Sequence, residues 1–218
     1  GADCPGRFII SGFQSLNAMS AEACRPFDIE RQGMNLGAAA ATVVLGSRLS
    51  PGRRSSGRAD ERIWQIGHGY IRNDAFHIST PSKTADGLTT ALQQTLEEVG
   101  KEDIAFVNAH GTATLFNDQM EAVALRRAGL SDLPVNALKG YIGHTLGAAG
   151  IFETILGMKS VDDHTVLGTQ GYREAGVSGK VLMTQEHRPT DRHSFLKMLS
   201  GFGGCNATLY ARSAAVRG

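Results

Sequence analysis

The sequence of 218 residues has few cysteines and no long hydrophobic run. Its three cysteines, Cys4, Cys24 and Cys205, are an odd number, and none belongs to a Cys-x-x-Cys pair of the kind that binds a metal. Because no hydrophobic export segment stands near the N-terminus, the cysteines indicate a reducing, cytoplasmic setting with no metal site. No apolar run approaches the roughly 20 residues that span a bilayer, so a membrane protein is not indicated.

Charge of one sign is also scarce. The formal net charge is +1, which leaves no basic excess for binding the phosphate backbone of a nucleic acid. The arginine-rich segment SPGRRSSGR, residues 50–58, is interpreted as a solvated surface loop, with a docking patch for an acidic partner protein as the alternative. The composition therefore gives no support to nucleic-acid binding.

The remaining composition is that of an ordinary globular protein, with 41% hydrophobic and 20% charged residues. Its length fits one domain or a large part of one. The segment at residues 36–45 is ambiguous between helix and buried strand, and a strand is favoured at residues 41–45. Further strands are predicted at residues 62–70, 104–108, 134–138, 180–185 and 205–212, and helices at residues 12–23, 86–100, 117–127 and 148–160. This alternation predicts an α/β fold in which helices cover a sheet.

Two histidines follow predicted strands in surroundings of small residues. His110 lies in VNAHGTAT and His144 in KGYIGHTLGAAG. Active sites of α/β proteins collect at such strand ends, and the glycines leave room for close approach of a ligand. Either histidine taken alone is as often structural as functional.

Charged residues accompany both histidines. Lys139 stands five residues before His144, and Asp118 and Glu121 follow His110 by eight and eleven residues. Carboxylates near a lysine and a histidine can fix tautomer and charge. For Asp118 the alternative role is helix N-terminal capping. The grouping favours a functional site over two isolated structural histidines.

Three motifs make the sequence resemble a known family: VNAHGTATLFND with its following glutamate, LKGYIGHTLGAAG, and SGFGGCNATL. They occur in the order and spacing of the β-ketoacyl-acyl carrier protein synthases, and CRPFDIERQGMNLG and GYIRNDAFHISTP extend the resemblance over essentially the whole chain. The resemblance implies an α/β, thiolase-like fold with layered αβαβα architecture, incomplete here. Residues 1–60 would end the N-terminal ketosynthase half, and residues 61–218 would form the C-terminal half.

The resemblance also implies a reaction, the decarboxylative condensation of an acyl thioester with malonyl-carrier protein in fatty acid or polyketide biosynthesis. His110 and His144 would donate hydrogen bonds to the thioester enolate. Lys139 would hold the histidine site electrostatically, Glu121 would pair with Lys139, and Asp118 would support them.

The SGFGG motif has an implied role of its own. Phe202 would be the gating phenylalanine, and its backbone N–H, freed by neighbouring glycines such as Gly203, would be an oxyanion-hole donor. The alternative for this motif is a tight turn between strands.

The family's nucleophilic cysteine has no counterpart among the three cysteines, which are interpreted as small packing residues. A missing segment or a partner subunit is therefore expected to supply it. Ala38 stands where the family usually carries an acidic residue. No cofactor is implied, because the phosphopantetheine arm belongs to the acyl carrier protein, and a homo- or hetero-oligomer is expected. The alternatives are a non-catalytic, chain-length-factor-like partner subunit and a thiolase relative acting on coenzyme A thioesters.

Overall fold

A computed structural model describes residues 1–46 and 63–214 as a mixed α/β protein, which confirms the predicted fold class. The arginine-rich segment at residues 50–58 lies outside the described residues. The helices are α1 (Arg7–Ser15), α2 (Asp86–Glu97), α3 (Leu115–Arg127), α4 (Lys139–Ile142) and α5 (Ala149–Asp162). The strands are β1 (Ala2–Asp3), β2 (Ala39–Ala40), β3 (Ile63–Asn73), β4 (Ile104–Asn108), β5 (Pro134–Asn136), β6 (Thr165–Val166), β7 (Leu182–Met183), β8 (Arg188–Pro189), β9 (Ser194–Gly201) and β10 (Cys205–Ala214).

Six strands form the main sheet, in the order β3-β10-β9-β4-β5-β7. The first three are antiparallel neighbours, whereas β9, β4, β5 and β7 run parallel. Parallel neighbours need a crossover, and α3 connects β4 to β5 while α4 and α5 lie between β5 and β7. Two short antiparallel pairs, β1 with β2 and β6 with β8, lie outside this sheet.

Apolar side chains cover both faces of the sheet. On one face, Leu92 of α2 and Leu125 of α3 pack into a cluster with Leu196 of β9. On the other face, Val161 of α5 packs with the stacked rings of Phe106 and Phe195, whose centroids are 5.2 Å apart. Burial on both sides explains why β4 is a continuous apolar run rather than an alternating one. The carboxyl end of β4 is therefore a firm support for the residues that follow it.

Several predicted boundaries were wrong. Residues 41–45 form no strand. Among the residues that the structure describes, β2 pairs only with β1, and the pairing stops after Ala41 N–H donates to the carbonyl of Gly1. Helix α1 ends at Ser15 rather than continuing to residue 23. Helix α3 begins at Leu115 after Thr114 rather than at residue 117, so Asp118 does not cap it. The predicted strand at residues 180–185 is reduced to the two residues of β7.

Within residues 1–46 and 63–214, no helix is both long and apolar enough to cross a membrane.

Candidate active site

His110 lies two residues beyond the end of β4, in a turn fixed by a buried carboxylate. Glu121 of α3 accepts from the backbone N–H of His110 through Oε1 and from that of Gly111 through Oε2, both at 2.7 Å. The preceding residue, Ala109, donates its N–H to the carbonyl of Asn136 on β5. Helix α3 and two strands together therefore hold the backbone that carries His110.

His144 follows α4, and its backbone is paired with a segment from the beginning of the chain. Its N–H donates to the carbonyl of Asn35 at 2.7 Å, and its own carbonyl accepts from Gly37 N–H at 3.0 Å. A Cβ on Gly37 would lie 2.1 Å from the carbonyl oxygen of Ile142, and Gly143 has a φ of +69° with a Cβ position 2.9 Å from Gly37 N. Both glycines are required by this close backbone approach.

The two histidine rings meet edge to face, with centroids 4.9 Å apart and an interplanar angle of 83°. Lys139 Nζ lies 3.2 Å from Nδ1 of His110, and Leu146 N–H donates to Nδ1 of His144 at 3.1 Å. Since an ammonium and a backbone N–H have only protons to offer, Nδ1 is the acceptor in both rings. The proton of each neutral imidazole then lies on Nε2.

Both imidazoles are neutral at pH 7. Burial, reinforced by the positive charge of Lys139, lowers the pKa of His110 well below its ordinary value. The same two causes, in the same order, lower the pKa of His144 to about 3. The site therefore presents two uncharged N–H donors side by side.

Lys139 is completely buried and its carboxylate partner is Glu153 of α5, at 2.7 Å from Nζ. The predicted pairing of Lys139 with Glu121 was wrong, because both oxygens of Glu121 are occupied by backbone and side-chain N–H groups, including Nδ2 of Asn117. Lys139 also donates to the carbonyl of His110 at 2.6 Å. Lys139 lies beside the histidines as predicted, but its carboxylate partner is Glu153 rather than Glu121.

Two charged residues of this cluster were missed in the sequence, Glu153 and Lys197. Lys197 of β9 is 1% exposed and donates to the second carboxylate oxygen of Glu153. Each had a visible signal, a lone charge inside an apolar element: FETIL in α5 and FLKML in β9. Such charges are rarely buried without a partner, so the two could have been paired from the sequence.

Asp118 anchors a turn rather than capping its helix. Its Oδ2 accepts from the backbone N–H of Phe27 at 2.7 Å, and Arg31 Nε lies 3.9 Å away. Burial raises the pKa of Asp118 to about 6, and burial followed by the charge of Asp118 raises the pKa of Glu121 to about 7. Asp118 thus ties residues 25–31 to the helix that also carries Glu121.

A cavity of about 530 Å³ opens in front of the histidines. Phe202 stands in its wall, half exposed, with its ring stacked on Phe13 at 5.5 Å between centroids. Gly203 and Gly204 both have positive φ, so SGFGG is indeed the tight turn that joins β9 to β10, and it borders the cavity at the same time. Gly203 N–H donates to the carbonyl of Ile78 at 2.7 Å, which fastens the turn to the loop after β3.

The three cysteines lie apart from this cavity, since none of them belongs to its lining. Cys24 is buried, and burial raises the pKa of its thiol to about 12. Cys4 and Cys205 are exposed. Cys24 is a packing residue, as predicted, whereas the same prediction was wrong for Cys4 and Cys205, because both are exposed.

Residues 65–173, half of the chain, match the family description "Beta-ketoacyl synthase, C-terminal domain". The chain is 32% identical over 219 residues to 3-oxoacyl-[acyl-carrier-protein] synthase 2 of Rhizobium meliloti (strain 1021), an alignment that covers 94% of this chain and 51% of the relative. It is 30% identical over 217 residues to nodulation protein E of Rhizobium meliloti, with 96% and 52% covered. The chain therefore spans about half the length of the curated relatives it matches.

Solved structures agree with these relatives. A β-ketoacyl synthase from Burkholderia phymatum STM815 superposes with a TM-score of 0.89 at 29% identity, covering 98% of this chain and 53% of that one. The ishigamide ketosynthase/chain length factor superposes with a TM-score of 0.87 at 27% identity, covering 97% and 52%. The expected thiolase-like fold class is confirmed by these neighbours.

Proposed function

This chain belongs to the β-ketoacyl synthase family, and we propose that it carries the decarboxylation site of a 3-oxoacyl-[acyl-carrier-protein] synthase. In that reaction a malonyl thioester loses carbon dioxide and the resulting carbanion attacks an acyl thioester. The observation that carries the proposal is the pair of neutral Nε2–H donors of His110 and His144 at the wall of one cavity.

The two donors suit the charge that decarboxylation creates. When the bond between the malonyl carboxylate and the α-carbon breaks, its electron pair delocalises onto the thioester carbonyl oxygen as carbon dioxide leaves. Two N–H groups directed at that oxygen stabilise the enolate without a proton transfer, and loss of one such donor typically costs roughly 2.7 to 4 kcal/mol of barrier. Burial, together with the positive charge of Lys139, lowers the pKa of both rings and keeps them neutral, and Lys139 also donates to the carbonyl of His110.

Phe202 is proposed to control access to this site. Its half-exposed ring stacks on Phe13 at the cavity wall, where a rotation of the Phe202 side chain would widen or narrow the entrance. Its backbone N–H is the proposed oxyanion-hole donor for the acyl-transfer step, with Gly203 giving the turn its conformation.

The acyl-carrying thiolate is proposed to come from outside these 218 residues, in another segment or a partner subunit. The support is the position of Cys4, Cys24 and Cys205, none of which lines the cavity. The substrate is proposed to arrive on the phosphopantetheine arm of an acyl carrier protein, in the cytoplasm. The chemistry needs no metal or cofactor, because decarboxylation generates the nucleophile and the electrophile is already a thioester. A homo- or hetero-oligomer is part of the same proposal.

The test is carbon dioxide release from radiolabelled malonyl-acyl carrier protein by the full-length protein. His110→Ala removes one donor, and the rate is expected to fall about 100- to 1,000-fold. His68→Ala is the matched control, because this histidine is exposed on β3, away from the cavity. Intact mass spectrometry of the purified material shows whether a second polypeptide with a reactive cysteine accompanies it.

A non-catalytic partner subunit is the second candidate, since the ishigamide structure pairs a ketosynthase with a chain length factor. The complete cluster of His110, His144 and Lys139 favours a catalytic role over that of a partner subunit. Unchanged activity of an assembly containing His110→Ala would favour the partner subunit instead.

A further inference from the structure

Lys197 is an unusual residue for its position. It lies in β9 between Leu196 and Met198, both fully buried, and is itself 1% exposed. Placing an ammonium group in such a strand is costly unless it is paired and hydrogen-bonded. The ammonium group of Lys197 therefore needs specific partners inside the protein.

Lys197 and Lys139 hold the backbone of the histidine turn in the same manner. Lys197 donates to the carbonyl of Ala109 at 3.2 Å, and Lys139 donates to the next carbonyl, that of His110, at 2.6 Å. Each lysine also takes one oxygen of Glu153. One carboxylate thus bridges two ammonium groups that hold consecutive peptide carbonyls.

The charges of this directly bonded cluster do not balance. Two ammonium groups share a single carboxylate, which leaves one excess positive charge beside His110. The next carboxylate that acts on the cluster is Glu121, whose charge also reaches Lys197 but whose oxygens accept from the N–H groups of His110, Gly111 and Asn117. Burial lowers the pKa of Lys197, while the charge of Glu153 opposes that shift.

We propose that Lys197 is a positioning residue that supplies the excess positive charge behind His110 and His144, so that the cavity favours an anion at the two Nε2–H donors. Lys197 does not line the cavity, and it acts through the Ala109–His110 backbone and through Glu153. The inference rests on the proposed function for the identity of the anion, a malonyl thioester or its enolate.

The test compares variants that change the charge of the cluster. Lys197→Met removes the excess charge, and adding Glu153→Gln to it restores one excess positive charge through Lys139 alone. Lys180→Met is the matched control, because it removes a lysine from an exposed ion pair with Asp132. Calorimetry on the full-length protein measures the binding of malonyl-pantetheine and of the neutral butyryl-pantetheine, and carbon dioxide release is followed in parallel.

Lys197→Met is expected to weaken malonyl-pantetheine binding about tenfold, the effect of one charge at roughly 12 Å with an effective dielectric constant of about 20, and to change butyryl-pantetheine binding less than about twofold. The double variant is expected to recover at least part of the malonyl-pantetheine affinity, and Lys180→Met is expected to match the wild type. Circular dichroism checks folding, and Lys197→Gln replaces Lys197→Met if the latter does not fold.

Unchanged malonyl-pantetheine binding in Lys197→Met would overturn the role of Lys197. A double variant that binds more weakly than Lys197→Met would overturn it too, because geometry rather than charge would then be decisive. If the variants show the expected differences in binding but the wild-type protein releases no carbon dioxide, the proposed function is refuted and the role of Lys197 stands.

Discussion

The neutral state of His144 can be measured as a pH dependence of stability. Its pKa is lowered from 6.5 to about 3 in the folded protein. As the pH falls below 6.5, the unfolded chain takes up a proton at this residue while the folded protein does not. The titration of His144 therefore leaves the free energy of unfolding unchanged above pH 6.5 and lowers it progressively as the pH falls toward 3.

The magnitude follows from the two pKa values. A pH of 5 is 1.5 units below the pKa of 6.5 in the unfolded chain, so the histidine is protonated there while the folded one is still neutral. This difference corresponds to a loss of about 2 kcal/mol of unfolding free energy. His144→Asn removes this titration and keeps an oxygen that can accept from Leu146 N–H. His110, Asp118 and Glu121 are present in both proteins, so the difference between the two stability curves isolates His144.

The assay is urea-induced unfolding at pH 8, 7, 6 and 5, followed by circular dichroism. Between pH 8 and pH 5 the wild type is expected to lose about 2 kcal/mol more unfolding free energy than His144→Asn. His68→Asn, on the exposed face of β3, serves as the control and should follow the wild type. If the wild-type and His144→Asn curves stay parallel to within about 0.5 kcal/mol, His144 is not held neutral and the tautomer argument fails.

Three further changes test the site. Gly37→Ala places a Cβ 2.1 Å from the carbonyl oxygen of Ile142 and should displace His144, which lowers the rate of decarboxylation at least tenfold. Gly12→Ala is the control and should leave the rate unchanged, because a Cβ there meets nothing within 4 Å. Equal rates for the two variants would contradict this prediction. Lys139→Met leaves Glu153 paired with Lys197 but takes the donor away from the carbonyl of His110, so it should lower the free energy of unfolding by about 1 to 3 kcal/mol in urea denaturation. An unchanged free energy of unfolding would refute the buried hydrogen bond. Phe202→Ala should change that free energy by less than about 1 kcal/mol, because the ring is half exposed, yet alter the KM for the thioester, and an unchanged KM would argue against a role in access.

The sequence predicted the fold best where hydrophobic pattern and local chemistry agree. The apolar run of β4 formed a strand at the predicted residues, and the spaced leucines of α2 formed the predicted helix, although it ends at Glu97 rather than at residue 100. The strand predicted at residues 41–45 failed because a strand needs a neighbour. The β-branched residues of that segment favour a strand, but they carry no information on which strand would lie beside it. The division of the chain near residue 60 stays a prediction.

The same distinction applies to the site. His110, His144 and Lys139 were recognisable from their glycine-rich motifs, and the structure brings them together. The partner of Lys139 was not recognisable, because Glu121 precedes Lys139 by 18 residues and Glu153 follows it by 14, so the two separations are similar. Sequence spacing cannot rank two candidate carboxylates when both belong to helices that follow different strands.

The backbone pairing of residues 35–37 with residues 142–144 has a consequence for dissecting the protein. Residues 65–173 match the family's C-terminal domain, which suggests an excision point after residue 60. Such an excised piece would lack Asn35 and Gly37, the two residues that fix both the N–H and the carbonyl of His144. An expression boundary drawn from domain matches would therefore separate His144 from the backbone segment that holds it, and an excised module or chimera has to take residues 35–37 along with the later segment.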